Sequence, residues 1–96
     1  MMPDNVKNTL HIINKAPEHP RFRRCLDCIQ PSDTLLLIED AVLALADGGQ
    51  QLPAAVHALD ADITARALGN RVPGGLLVDY AGFVELTVNH PRIINW

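Results

Sequence analysis

The chain has 96 residues, 48% hydrophobic and 20% charged, with a formal net charge of −3. That length supports one domain with a core of little margin, residues 1–96, and only Phe22, Tyr80, Phe83 and Trp96 are aromatic, so the core must be aliphatic. Residues 1–31 carry five Lys/Arg against three Asp/Glu and residues 32–96 three against eight; only Arg21, Arg23 and Arg24 cluster, which excludes the concentrated positive field of a phosphate-tracking surface.

Residues 1–8 form a polar N-terminal extension. TLHII (9–13) is short, apolar and partly β-branched, the pattern of a first strand. Pro17 disfavours helix at Ala16 and marks a loop. From Pro20 the period changes: Phe22, Leu26 and Ile29 fall at i, i+4 and i+7, a helix closed by Pro31. DTLLLIED (33–40) is a continuous apolar run between turn residues, which suits a strand buried on both faces. AVLALA (41–46) has helix composition, and Asp40 is the expected cap. The loop GGQQLP leads to a strand in AVHAL (55–59). DADITARALGN predicts a helix capped by Asp60, with Gly69 or Asn70 as its left-handed exit. LLVDY (76–80) is a fourth strand. YAGFVELTVNH is a last helix with Tyr80, Phe83, Val84, Thr87 and Val88 on one face, and residues 91–96 are a C-terminal tail. The order β-α-β-α-β-α-β-α predicts a single-domain α/β fold, a mostly parallel four- to five-stranded sheet flanked by helices.

Dinucleotide fingerprints, phosphate-binding loops and nucleophile elbows are absent, and no cofactor or metal site is expected. The main chemical signal is RRCLDC (23–28). On the predicted helix Cys25 borders the core face and Cys28 points sideways, with Arg21 and Arg24 four residues before them. A nearby cation lowers a thiol's pKa. A thioredoxin-type pair needs its first Cys at a helix N-terminus, and here both lie inside the helix. Zinc needs four ligands, whereas His11, His19, His57 and His90 are scattered. Two readings stay open: small hydrophobes of the core, which the physics favours, or a single sulfur-carrying thiol. Glu39 and Asp40 end a strand where parallel sheets place ligands, though capping is the simpler role for Asp40. His11 and His57 read as hydrogen-bonded core or interface residues. Trp96 is an interface candidate, with Cys28 and Arg24. No apolar run reaches the roughly 20 residues of a membrane span, and MMPDNVKNTL lacks a signal-peptide core. The expectation is a cytoplasmic protein with reduced thiols.

TLHIINKAP, LLLIEDAVLAL, VHALDADITARAL and VDYAGFVELTVNHPRIINW together resemble the TusB/DsrH family, in register from Thr9 to Trp96. The resemblance implies a subunit of a TusBCD- or DsrEFH-type heterohexamer that relays persulfide sulfur. TusC/DsrF-like and TusD/DsrE-like subunits would be its partners, TusA-like proteins the donor and TusE/DsrC-like proteins the acceptor. The expected outcome is 2-thiolation of the tRNA wobble uridine, with no direct nucleic-acid or membrane contact by this chain. The principal sulfur-carrying cysteine belongs to the TusD/DsrE subunit, which makes this chain an auxiliary rather than a catalytic one. Cys25 falls where DsrH-type chains carry a cysteine, so the alternative is a sulfur carrier in a sulfur-oxidation pathway. Ala41 stands where the family has glycine, so the backbone there should avoid left-handed φ.

Overall fold

The computed structural model describes residues 9–46, 52 and 55–96; the N-terminal extension and, Leu52 apart, the loop expected at 48–53 lie outside them. Five strands, β1 (Thr9–Ile13), β2 (Thr34–Leu37), β3 (Val56–Leu59), β4 (Leu77–Val78) and β5 (Arg92–Asn95), form one sheet in the order β4-β3-β2-β1-β5. Every pairing is parallel. The chain is an α/β domain of the expected kind, with one addition. The segment read as a tail is the fifth strand, paired beside β1 with His11 opposite Ile94.

The helices are α1 (Pro20–Cys28), α2 (Leu43–Ala46, led by a 3-10 turn at Glu39–Val42), α3 (Asp60–Ala65) and α4 (Tyr80–Asn89). Strands β1 to β4 step in one direction across the sheet, and right-handed crossovers then place the intervening helices on one face. The step from β4 back past β1 to β5 reverses direction, which carries α4 to the opposite face. Two clusters follow. Ile13, Leu35, Leu37, Val56 and Ala58 pack under Phe22 and Cys25 of α1, Val42, Ala44 and Ile63. On the other side Leu10, Ile12 and Leu36 meet Phe83 and Leu86 of α4. α4 is the one helix on that side among the described residues, and none of its residues is fully buried. Its outer face exposes Tyr80, Val84 and Val88.

Local signals explain most boundaries. His19 caps α1, its Nδ1 accepting the Arg21 N–H at 3.0 Å, and Pro20 occupies the first turn. Asp79 caps α4 through the Gly82 N–H at 2.8 Å. A Cβ on Gly82 would lie only 3.1 Å from the Val78 Cβ, so glycine lets this helix start against β4. His90 secures the other end: Nδ1–H donates to the Leu86 carbonyl at 2.7 Å, leaving Nε2 to accept from Thr34 Oγ1 at 3.1 Å.

Three expected caps are placed differently. Asp60 makes no capping bond. Asp40 accepts from Arg66 Nη2 at 2.9 Å and Nε at 3.3 Å instead of closing a helix end. Asp62 accepts the Glu39 N–H at 2.8 Å, joining the exit of β2 to α3. The exit of α3 is at Ala67, not at Gly69 or Asn70. Ala67 has φ 55°, its N–H bonds Thr64 O at 3.0 Å, and Leu68 N–H reaches back to Ile63 O at 3.0 Å. That is a Schellman ending, sealed by buried Ile63 and Leu68. An L side chain in the left-handed region costs about 1–2 kcal/mol. Ala67→Gly is therefore expected to stabilise the chain by about 0.5–1 kcal/mol after the added unfolded-state entropy, read as a higher urea midpoint at unchanged m-value. Ala41 avoids positive φ, as expected; the left-handed residue of that turn is Glu39, at φ 51°.

Candidate functional site

Pairing β5 with β1 brings the end of the chain beside its beginning. Along β1, Thr9, His11 and Ile13 point to the α1 side, and Arg92, Ile94 and Trp96 follow the same face next to them. α1 lies over β1 and β2 and leaves the β5 margin open. The result is a cavity of about 580 Å³ between the end of α1, the loop before β2 and β5. Cys28, Ser32 and Arg92 line it, with His11, Asp33 and Trp96 along one wall.

That wall is a buried hydrogen-bonded chain. Asp33, 4% exposed, accepts the Thr9 N–H on Oδ1 at 3.1 Å. Its Oδ2 accepts Gln30 N–H at 3.0 Å and faces His11 Nε2 at 2.9 Å. Trp96 Nε1–H then donates to His11 Nδ1 at 3.0 Å, and the two rings lie nearly parallel, 6.1 Å apart. An indole can only donate, so Nδ1 holds the lone pair and Nε2 carries the proton given to Asp33. Burial works to raise the Asp33 pKa, but the bonds from Gln30, His11 and Thr9 outweigh it and hold the carboxyl below the usual carboxylate range. Sequence reasoning anticipated a hydrogen-bonded His11 and missed Asp33, which looked like a turn residue. An acid at the head of the apolar run Leu35–Leu37 was the available signal.

The two cysteines are separated by this packing. Cys25 is completely buried, beyond the partial burial expected of it. α1 turns its Phe22–Cys25 edge to the sheet, leaving Leu26 and Ile29 half-buried. Burial first, and the neighbouring Cys28 second, push the Cys25 thiol up to about 12. Arg21 is exposed and does not offset that burial. Cys28 is exposed and free. A thiol titration of the native chain is expected to count one fast thiol, Cys28, and a second, slower by about 10³-fold or more, only on unfolding. Equal native rates for both would contradict the packing.

Of the three interface candidates, Trp96 and Cys28 line the same cavity, and Arg24 stands exposed one turn before Cys28 outside that lining. Glu39 and Asp40 form no pocket with the cavity; Asp40 and Asp62 both serve Arg66, an exposed arrangement of small energetic weight. His57 faces the α4 side, opposite Leu36. The crevice at the carboxyl ends of β1 and β5, where the strand order reverses, measures about 80 Å³, below the roughly 300 Å³ from which ligand pockets start. Among the described residues, no helix is long and apolar enough to cross a membrane.

The family model described as "DsrH like protein" matches residues 15–93. Protein TusB of Escherichia coli strain K12 is 36% identical over 94 residues, covering 91% of this chain and 99% of that protein. Protein TusB of Escherichia coli strain ATCC 8739 shows the same identity and coverage, and that of Escherichia coli O1:K1 / APEC is 35% identical over the same span. With a matching family model over most of its length and relatives this similar from end to end, the chain belongs to the TusB/DsrH family.

Proposed function

We propose that this chain is a subunit of a sulfur-relay complex that passes persulfide sulfur between carrier proteins, for 2-thiolation of the tRNA wobble uridine. Its part in that complex is to complete the assembly and shape a docking surface, not to carry sulfur on Cys25. The observation that carries this reading is Cys25, completely buried with its thiol pushed up to about 12. A carrier thiol must be ionised and reachable to attack an outer sulfur atom, and burial works against both at Cys25. The surfaces, in contrast, suit a protein built to be covered. Tyr80 and Val88, each 75% exposed, and Val84 leave an apolar strip on α4, and exposed patches of this kind mark protein contacts. A TusC-like or TusD-like subunit is the occupant that the family reading supplies. Trp96, lining the cavity with Cys28 and Arg92, provides the aromatic anchor favoured at interfaces.

The test is co-expression with TusC- and TusD-type partners from the same source. The chain is expected to co-purify with them and, alone, to pass no sulfur from a persulfide donor to an acceptor. Efficient transfer by the isolated chain would overturn the proposal.

A further inference from the structure

We infer that His11 is a proton-operated latch: a proton taken up at Nδ1 releases the Trp96 indole and opens the wall of the cavity between α1 and β5. Two hydrogen bonds of His11 run in fixed directions. Trp96 Nε1–H donates to His11 Nδ1 at 3.0 Å, and His11 Nε2 faces Asp33 Oδ2 at 2.9 Å. The indole is a donor only, which makes the ring neutral with its single proton on Nε2. A proton arriving from solvent has one place to go, the Nδ1 lone pair. Once there, it sets a donor against the indole donor, and the bond to Trp96 is lost. The bond to Asp33 meanwhile becomes charge-assisted and strengthens. The imidazolium stays on Asp33, and the indole is the partner that leaves.

The surroundings of His11 favour that outcome. From the β2 side, Asp33 is the charged group in contact, and three donors already hold it in place. Its depressed pKa keeps it ionised while the ring takes up the proton. β5 contributes Arg92, the residue following it is Trp96, and the end of α1 contributes Cys28, all lining the same cavity. Beyond the end of β1, Lys15 Nζ reaches the Trp96 carbonyl at 3.4 Å. The Trp96 backbone has its own anchor, N–H to the Ile12 carbonyl at 2.8 Å. The side chain can swing while β5 remains in the sheet, so the change is local.

Trp96 is the only tryptophan, which makes the latch directly observable. The experiment is a pH titration of the full chain, following the indole Nε1–H resonance, the His11 ring nitrogens and the amides of β5 by NMR. The neutral ring is expected to show the Nε2–H tautomer. The indole resonance should lose its hydrogen-bonded shift in step with protonation of His11, with the β5 amides still protected. In Asp33→Asn the indole transition should move to at least tenfold higher proton concentration, because the imidazolium has lost its counter-charge. An Nδ1–H tautomer at neutral pH would overturn the latch. So would an indole that stays bonded after His11 is protonated, a transition unmoved in Asp33→Asn, or global unfolding before any local release. Should Asp33→Asn fail to fold, the wild-type titration decides alone.

Discussion

Asp33→Ala is expected to destabilise the chain by about 3–5 kcal/mol, measured by urea unfolding at pH 7. The carboxylate is 4% exposed and accepts three bonds, from the Thr9 and Gln30 amides and from His11. Alanine leaves three donors without partners, each costing about 1–3 kcal/mol when buried. It also unties the start of β1 from the α1–β2 loop, so the loss falls on the two central strands. The same carboxylate predicts a pH dependence with a defined sign. Its folded pKa is depressed, so its contribution is complete above the unfolded carboxyl value of about 3.9 and is lost as pH falls through the lower folded value. Stability should decline below about pH 4 in the wild type, and Asp33→Asn should start lower and show a flatter acid limb. An Asp33→Ala chain within 1 kcal/mol of wild type would mean that the buried knot does not exist.

Trp96→Ala carries the second large effect, about 2–4 kcal/mol in stability, with at least tenfold weaker association with the partner subunits. The indole packs against the main core from the sheet edge, stacks on His11 and donates to it. Truncation removes the packing and leaves His11 Nδ1 unpaired. Trp96→Phe separates these contributions, since it keeps most of the apolar contact and loses only the N–H. It is expected to cost about 1 kcal/mol, the usual worth of one hydrogen bond. If Phe and Ala proved equally damaging, the donor rather than the packing would be what Trp96 supplies.

The architecture was legible where local pattern and tertiary role coincide. The continuous apolar run at Leu35–Leu37 reads as a doubly buried strand and is one, at the centre of the sheet. Pro20 marks a helix start that the backbone honours, whereas Asp79, expected within a strand over 76–80, caps α4 and leaves only Leu77–Val78 as β4. β5 was not legible, because a strand of four residues headed by Arg92 and ended by Asn95 has no period of its own. Its identity comes from pairing with β1, a contact between the two ends of the chain. The same pairing created the candidate site: Cys28 and Trp96 carried separate weak signals, and only the return of β5 puts them in one cavity. Cys25 agrees with the favoured reading of a small core hydrophobe but is buried more deeply than its expected border position, through a small rotation. The spacing of Phe22, Leu26 and Ile29 centres the core face close to Phe22, whereas α1 turns that face toward Cys25, and a border residue becomes a core residue. The cap at Asp60 failed because α3 begins at Asp60 itself, with Leu59 at the cap position, and the cap expected at Asp40 was lost to Arg66, a partner that no local window contains.

Under the proposed function, this chain contributes surfaces to the relay, and transfer does not pass through Cys25. The most direct measurement is sulfur transfer through the reconstituted complex in which this subunit carries Cys25→Ala together with Cys28→Ser. Assembly is checked by gel filtration, because Cys25→Ala removes a buried side chain and is expected to cost about 1 kcal/mol. The assembled double variant is expected to transfer sulfur to the acceptor within about twofold of the wild-type rate. A hundredfold loss in an intact complex, together with persulfide mass appearing on this subunit in the wild type, would contradict it.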